Sequence, residues 1–506
     1  MKLFCTHSVY IDINIKEDLT MKKILALALC LCFALGGCVQ SVPVPHTEAN
    51  GGATPEPSPA PAEAATFEKL ALSLAAVPEL PEEPSEAAFY DALNALDYEK
   101  LGQEGYQREH DKLWNEYSEK RDAYRAAAEA LRGAGVDAAL APSFMDYTLR
   151  TLRQLAADEA EKNVVYSPAN LYLALCMLAE TTGGESRAQL LSLLGLANVE
   201  QARSAANAIW RALYHDGATG KTLLANSIWL NQQFSVHEDT VDRLAKDYYA
   251  STFRAPMGVK ATDDAIHDWI NENTNHLLES AANGLKTDVK TLMMLISTLY
   301  FKGTWRDQFS EIQTSEDTFT TADGTKQAID FMHSVKNGTY YRVENCTVAA
   351  LPFQDGTAMW FLLPDEGEDI PLEQLTRSAA LSDAEEGYGE IHWSVPKFDV
   401  SSDLDLIPTL QALGVVDVFD KRADFSPLTD LDALISAVEH AARVKVDEEG
   451  CEAAAFTAIT AECTSAMPET LPIIEMNLNH PFGFLITGAD SLPLFIGLVN
   501  TTEPHA

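Results

Sequence analysis

The sequence predicts an α+β fold with large β-sheets, and two observations lead to this class. Apolar runs rich in Val, Ile, Phe and Trp recur from the middle of the chain onward, for example at 225–231, 358–366 and 480–486. Segments with helical spacing and clear end signals lie between them. Short runs of β-branched and aromatic residues are typical of buried strands, so periodicity supports helices packed on large sheets.

Length and charge set the outer limits for function. The chain has 506 residues, which allows two to four domains, or one large domain with additions. The formal net charge is −39, with 22% charged residues. Binding to a phosphate backbone requires Lys and Arg, so this balance argues against nucleic acid as a partner and favours an exposed acidic surface.

Residues 1–38 are predicted to form an export leader. Positive charge at Met21-Lys22-Lys23 precedes an apolar run, Ile24 to Leu35, that is too short to span a membrane. The run ends in Leu-Gly-Gly-Cys at Cys38, which is typical of a bacterial lipobox whose cysteine receives lipid. An ordinary cleaved leader with an incidental cysteine is the alternative. Residues 1–20 do not fit a leader, so Met21 is the alternative start of translation.

Two segments are predicted to separate the leader from the globular body, residues 143–506. Residues 39–66 are rich in Pro, Ala, Glu, Gly and Ser, a composition typical of an extended tether. Residues 67–142 are acidic and helix-forming, with one amphipathic helix expected from about Asp111 to Arg132 and ended by Gly133. This extension carries no recognisable chemistry, so we expect a helical spacer or a brace against the body.

The first helices of the body have well-marked ends. One helix is expected from Phe144 to Ala157. Ser167-Pro168 caps an apolar helix that stops at Gly183-Gly184, and a further helix ends at Gly195.

The cysteines predict neither a disulfide framework nor a zinc site. Four of the eight lie at the front of the chain, and the body contains Cys176, Cys346, Cys451 and Cys463. These four are widely spaced and include no C-x-x-C pair. We expect no metal ion and no organic cofactor.

One stretch, residues 447–472, has a pattern that fits two kinds of structure. With a period of two, its small residues share one face, whereas Glu452, Phe456 and Glu462 lie on the other. The small-residue face consists of Cys451, Ala453, Ala455, Thr457, Ile459 and Ala461. This parity is that of a strand with one buried and one wet side, although an Ala-rich composition favours a helix. We infer a segment that enters a sheet from outside, with a helix or flexible linker as the alternative.

These segments, in their order along the chain, resemble the serpin family. The resemblance covers about residues 143–502 and rests on YFKG at 300–303, SVPKFDV at 394–400 and EEG-x-E-AAA at 448–455. It implies an α+β fold with three β-sheets, eight or nine helices and an exposed reactive loop at about 447–472. It also implies that a protease cleaves the loop, which then inserts into the main sheet as a new strand and drags the acylated protease away.

The resemblance assigns roles to residues in and near the loop. The loop hinge is expected to consist of Glu448, Glu449, Gly450, Cys451, Glu452, Ala453, Ala454 and Ala455. Insertion requires small, uncharged side chains on the inward face, because an unpaired buried charge costs several kcal/mol. Cys451 stands where the family prefers Thr or Ser, and Phe456 replaces a small residue at an outward position.

A second group of residues is expected to control the opening of the sheet. The resemblance places Ser167, Asn170, Ser297 and His440 there. Ser297 replaces the usual Asn of the family, so we expect its hydrogen bond to His440 to be altered.

The cleaved bond is predicted between Thr464 and Ser465, counting from Gly450. Three other positions stay open: Cys463, Met467 and, counting back from Pro481, Thr470. No Lys or Arg occurs from Glu448 to Phe482, so proteases whose specificity pocket holds a carboxylate have nothing to pair with. Small residues favour elastase-like or subtilisin-like serine proteases, with papain-like cysteine proteases as an alternative.

Three classes of function follow from these observations. The first is a suicide inhibitor of serine proteases, a monomer anchored through lipid at Cys38 to a bacterial surface. The second is a non-inhibitory serpin that acts as a surface binding or scaffold lipoprotein. The third is an enzyme with Cys463, Ser465 or Cys451 as nucleophile, which we exclude because no G-x-S-x-G setting or His/Asp partner set accompanies them.

Overall fold

The computed structural model describes ten segments of the chain. They are 2–13, 67–75, 77–133, 135–159, 162–276, 278–343, 345–376, 385–450, 471–488 and 491–502, with backbone alone for 2–13. The predicted lipid site Cys38 and the loop residues 451–470 lie outside these segments.

The described segments contain twelve α-helices. Their bounds are α1 Phe67–Leu70, α2 Glu86–Asn94, α3 Tyr98–Arg132, α4 Leu140–Asp158, α5 Pro168–Thr181, α6 Gly184–Leu194, α7 Val199–Leu213, α8 Glu238–Asp247, α9 Lys260–Asn273, α10 Glu279–Gly284, α11 Leu372–Thr376 and α12 Ile407–Ala412. Three lie in the N-terminal extension, and nine, from α4 onward, belong to the body. No described helix combines the length and apolarity needed to cross a membrane.

Seventeen β-strands occur in the same segments. Their bounds are β1 Lys2–Ile13, β2 Ala71–Ser73, β3 Val164–Tyr166, β4 His215–Asp216, β5 Gly220–Asn231, β6 Ala250–Ala255, β7 Thr291–Gly303, β8 Ser315–Thr320, β9 Lys326–Val343, β10 Cys346–Pro352, β11 Ala358–Pro364, β12 Glu385–Pro396, β13 Phe398–Asp405, β14 Ala433–Val446, β15 Ile473–Asn477, β16 Phe482–Thr487 and β17 Pro493–Val499.

The main sheet has eight strands in the order β13-β14-β1-β7-β5-β6-β2, with β4 paired to β5. β1 lies between β14 and β7 and runs antiparallel to both. The two strands on either side of β1 are therefore parallel to each other, and a single antiparallel strand separates them.

The other strands form a nine-stranded network in which β9 joins two sheets. On one side β9 pairs with β8 and β12, and β12 pairs with β15. At its other end β9 pairs with β10, which leads through β11, β16 and β17 to β3. Two of the three expected sheets are thus hydrogen-bonded to each other through one long strand.

Two hydrophobic cores pack on opposite faces of the main sheet. The larger core includes Leu295, Leu299 and Phe301 of β7 and reaches the helices α5 to α8. The smaller core lies under α9 and contains Ile296 and Tyr300, the alternate residues of the same strand. Both faces of β7 are therefore buried, which explains its continuous apolar sequence.

Helix α5 is fixed by a buried ion cluster at its C-terminal end. Glu180 is 2% exposed and accepts hydrogen bonds from Arg203 at 2.9 Å, Arg243 at 2.8 Å and Tyr248 at 3.2 Å. These partners come from α7, α8 and the residue after α8, so the cluster ties three helices together. The cluster therefore fixes the C-terminal end of α5.

The N-terminal extension packs against one edge of the main sheet and a neighbouring helix. β2 pairs with β6 and forms the edge of the main sheet, and Tyr124 Oη lies 3.1 Å from His215 Nδ1. Arg211 of α7 donates to the carbonyl of Leu131 at the end of α3, at 2.5 Å.

Several helix ends agree with the sequence signals, and one start does not. α5 begins after Ser167, whose side chain accepts from Asn170 N, and α6 ends at Gly195 in the left-handed conformation. The helix expected from about Asp111 begins earlier, at Tyr98. It continues across Gly102, whose φ of 64° interrupts the regular helix, so the pattern toward its N-terminus is broken.

Candidate functional site

The candidate site is the strand position between β14 and β7, which we call the slot. In this structure β1 fills it over 12 residues. At one end Lys2 pairs with Lys445 and Lys302, and at the other Ile13 pairs with Ala433 and Asp12 with Thr291. The slot thus accepts an antiparallel strand about 40 Å long, at roughly 3.3 Å per residue.

Buried residues on the two flanking strands border the inward side of the slot. On β14 these are Val438, His440, Ala442, Val444 and Val446, each at most 1% exposed. On β7 they are Met293, Leu295, Ser297, Leu299 and Phe301, also at most 1% exposed. A strand in the slot therefore meets a closed interior on its inward face, where a charged side chain would lack solvent.

The outward side of the slot is covered over part of its length. Met294, Ile296 and Ala441 belong to the core under α9, whereas Lys445 is exposed. The sequence pattern predicted one buried and one wet side for an entering strand. The structure instead has an outward side that is wet at the end near Lys445 and covered by α9 further along.

The hinge begins with a tight turn at the open end of the slot. Asp447 and Gly450 form an isolated antiparallel bridge, and Gly450 N donates to Asp447 O at 3.3 Å. Gly450 has a φ of 97°, and a Cβ there would lie 2.5 Å from Gly303 O and 2.6 Å from Trp305 N. Only glycine fits this position, both for conformation and for space.

Three hydrogen bonds join the turn to the residues that follow β7. Trp305 N donates to Glu449 O at 3.2 Å, Trp305 Nε1 to Asp447 O at 3.0 Å, and Phe309 N to Glu448 O at 3.0 Å. Trp305 is itself buried and stacks on Phe353, with ring centroids 4.4 Å apart. The start of the hinge is therefore rigidly placed over the slot.

Glu448 adds a side-chain anchor to the same turn. Its carboxylate lies 2.8 Å from Lys397 Nζ and accepts from Thr314 Oγ1 at 2.8 Å, and the side chain is 10% exposed. Burial alone would raise the pKa of Glu448, but hydrogen bonds from Lys397 and Thr314 outweigh it and lower that pKa. Sequence reasoning did not find Lys397 or Thr314; Lys397 lies in the segment SVPKFDV, but nothing in one sequence links it to Glu448.

The four residues expected to control sheet opening meet beside the middle of the slot. Asn170 Nδ2 donates to Ser297 O at 3.1 Å, and the Ser297 hydroxyl donates to Asn170 Oδ1. Ser167 N donates to His440 Nε2 at 3.3 Å, and Ser167 Oγ accepts from Asn170 N. Complete burial lowers the pKa of His440 to about 3, so the ring is neutral at physiological pH.

The backbone of β1 runs between His440 and Ser297. His7 is the register partner of both residues. The Ser297 hydroxyl bonds to Asn170 on α5, on the inward side of the sheet.

The remaining predicted site residues lie outside the described segments. These are the hinge residues Cys451, Glu452, Ala453, Ala454 and Ala455, the bond Thr464–Ser465, the alternatives Cys463, Met467 and Thr470, and the lipid site Cys38. Of the hinge, the structure describes Glu448, Glu449 and Gly450.

The Glu448 anchor predicts a specific dependence of stability on pH. Because the pKa of Glu448 is lowered on folding, its contribution is complete above the ordinary glutamate pKa and is lost as the pH falls through the lowered value. The difference in free energy of unfolding between the natural protein and Glu448→Gln should therefore be largest near neutral pH and shrink in acid. Urea unfolding at a series of pH values measures it.

The control for this experiment is Lys397→Met. In that background Glu448→Gln should have a much smaller effect, because the main partner of the carboxylate is gone. A difference that stays the same at every pH, or that survives Lys397→Met, would argue against the anchor.

Comparisons with known proteins agree with this geometry. A family model described as Serpin (serine protease inhibitor) matches residues 143–502, more than half of the chain. Serpin-ZX of Arabidopsis thaliana is 28% identical over 358 residues, which are 67% of this chain and 91% of that protein. The leukocyte elastase inhibitor of Sus scrofa is 28% identical over 373 residues, 70% of this chain and 97% of that protein.

Solved structures lead to the same fold. The thermophilic serpin tengpin in its native state matches with a TM-score of 0.62 and 26% identity, over 72% of this chain and 95% of that one. Human thyroxine-binding globulin, in a ligand complex, matches with a TM-score of 0.61 and 20% identity, over 72% of this chain and 98% of that one. The second likeness concerns the fold alone. The homologues named as inhibitors act on proteases and are not enzymes. The family match, the α+β architecture and the described hinge turn together show that this chain belongs to the serpin family.

Proposed function

We propose that this protein is an irreversible suicide inhibitor of serine proteases that traps the acyl-enzyme by inserting its cleaved loop into the slot. The observation that carries the proposal is the slot itself, with the hinge turn at its open end. Gly450 packs against Gly303 at the end of β7, so the chain leaves the turn at the point where a strand between β14 and β7 would begin.

Continuing the hinge pair in register supports insertion of the small-residue face. If the Asp447–Gly450 pair is extended, Ala453 falls beside Val444, Ala455 beside Ala442 and Thr457 beside His440. These β14 residues are all buried. The alternation seen in the sequence thus has the parity that the slot requires.

The same register also predicts the neighbours of the residues on the outward face. Glu452 falls at the position of Lys2, between Lys445 and Lys302, where an acidic side chain meets two cations. Phe456 falls beside Ala441, which α9 covers. An outward aromatic residue at this level has apolar neighbours rather than water.

The length of the slot supports cleavage between Thr464 and Ser465. Twelve strand positions that begin at Glu452 end at Cys463, so Thr464 is the first residue beyond them. Cleavage near Thr470 would leave several residues of the inserted strand beyond the end of the slot. Cys463 and Met467 stay as alternatives.

The choice of target rests on side-chain chemistry. The absence of Lys and Arg from 448–482 disfavours proteases that bind basic residues, and small residues suit elastase-like or subtilisin-like enzymes. The relative named leukocyte elastase inhibitor is consistent with this class. Papain-like cysteine proteases remain the alternative target, and a non-inhibitory surface lipoprotein remains the alternative function.

We also propose a location for the protein. A lipobox that ends at Cys38 and a Pro-rich tether at 39–66 favour a monomer anchored by lipid outside a bacterial cell. Mass spectrometry of the N-terminal peptide of the exported protein tests the lipid. An unmodified or uncut leader would count against the anchor without affecting inhibition.

Inhibition predicts an SDS-resistant adduct with pancreatic elastase and none with trypsin. In Ala453→Glu a carboxylate would be inserted between Val444 and Phe301, at a cost of several kcal/mol, so adduct should fall at least several-fold while loop cleavage continues. The neighbouring control Ala454→Glu lies on the opposite face beside Arg443 and should leave adduct formation nearly unchanged. Electrophoresis measures both products.

Two outcomes of this experiment would contradict the proposal. A cut loop with fully active elastase and no adduct would favour the non-inhibitory alternative. Equal adduct from Ala453→Glu and Ala454→Glu would mean that the inward face is not buried during inhibition.

In a chain that keeps its leader, the position of β1 predicts that residues 2–13 compete with the loop, whereas cleavage before Cys38 would remove this strand. A chain that starts at Phe67 should form adduct faster than the full chain, because its loop displaces no strand. In the full chain, Ser8→Pro should move the rate toward that of the shorter chain, since proline removes an N–H from the strand. Stopped-flow inhibition kinetics give the rates; three equal rates would show that β1 does not oppose insertion.

A further inference from the structure

A cavity of about 440 Å³ lies on the outward face of the main sheet, beside the end of the slot where β7 begins. One wall comes from α9, α10 and the residues after α10, including Ile270, Ala282 and Leu285. The facing wall comes from β13 and β14, including Ala437 and Ala441. Its volume is in the range of small-molecule sites, and much of its lining is apolar.

Two carboxylates face this cavity from adjacent strands. Asp403 lies on β13 and Glu439 on β14, on the same face of the sheet. Among the described residues neither side chain has a hydrogen bond or an ion pair. Burial raises the pKa of Asp403, and burial together with the charges of Asp403 and Asp405 raises that of Glu439. Asp403 is exposed and Glu439 is partly buried, so solvent moderates both effects.

The balance of charge around the cavity is negative. Among the described residues that line it, Asp288, Asp403 and Glu439 are acidic and Lys286 is the one cation. A bound cation would relieve the repulsion between the exposed carboxylate of Asp403 and the partly buried carboxylate of Glu439. A metal ion is a poor candidate, because no three His, Cys, Asp or Glu side chains in the described segments are arranged to hold one.

We propose that this cavity binds a small organic cation with an apolar body. The ammonium group lies between Asp403 and Glu439, and the body fills the space between Ile270 and Leu285 on one side and Ala437 on the other. The combination of an apolar wall with charge at one end selects an amphipathic amine over a neutral or anionic compound of the same shape.

The cavity also touches both strands that border the slot. Thr291 begins β7, and Ser436 and Ala437 belong to β14. A ligand that bridges these strands to α10 should slow the entry of the loop. This consequence rests on the proposed function, whereas the binding site itself does not.

Isothermal titration of the full chain with three indoles of one shape tests the site. Tryptamine is the cation, tryptophol the neutral analogue and indole-3-propionate the anion. Tryptamine should bind at least about tenfold more tightly than tryptophol, and the anion should bind most weakly. Equal affinities, or no binding of tryptamine at millimolar concentration, would overturn the proposal whether or not the protein inhibits a protease.

Variants locate the binding within this cavity. Asp403→Asn combined with Glu439→Gln should abolish the preference for tryptamine over tryptophol. The control Lys286→Met removes the one cation of the lining and should strengthen tryptamine binding. A preference that survives the double variant, or weaker binding in Lys286→Met, would assign the amine to another site. If the double variant fails to fold, Lys286→Met still decides the question.

Discussion

The hydrogen-bonding edges of β7 and β14 are the constraint on which the rest of the body depends. These two strands are parallel and separated by one strand position, so their facing N–H and C=O groups can be satisfied only by an antiparallel strand between them or by closure of the sheet. In this structure β1 provides that strand. We propose that the predicted loop, which follows β14 and the tight turn at Asp447–Gly450, replaces it.

The first three hinge residues, Glu448 to Gly450, are positioned for the proposed exchange before any cleavage occurs. Gly450 permits the chain to turn back against Gly303, and the Trp305 side chain and backbone hold the turn from the other side. The ion pair between Glu448 and Lys397 adds a side-chain contact that holds the turn after β14. The entropy cost of ordering the turn itself is not left to the proposed inhibitory step, because the turn is already formed.

The sequence predicts local features well and spatial partnerships poorly. The sequence predicts correctly that Ser167 caps a helix and that Gly195 ends one, because each of these signals depends only on neighbouring residues. The alternation after Gly450 is also a local pattern, but it lies outside the described segments and stays a prediction. The partners of Glu448 are not predicted, since Lys397 and Thr314 lie far away along the chain.

The covered outward side of the slot was missed because a two-residue period gives the parity of a strand but not which helix lies over it. β1 was missed because its partners are hundreds of residues distant. Whether a strand has a place in a sheet depends on edges that other segments leave open. The sequence pattern of residues 2–13 does not indicate that such an edge exists elsewhere in the chain.

The most direct measurement is the thermal unfolding midpoint of the chain from Phe67 onward, before and after a protease that forms no adduct with it cuts the loop. An inserted loop gains main-chain hydrogen bonds on both edges and buries its small-residue face, so the midpoint should rise by about 10 °C or more. An unchanged or lower midpoint, in protein whose cut loop is verified by mass spectrometry, would contradict insertion into the slot.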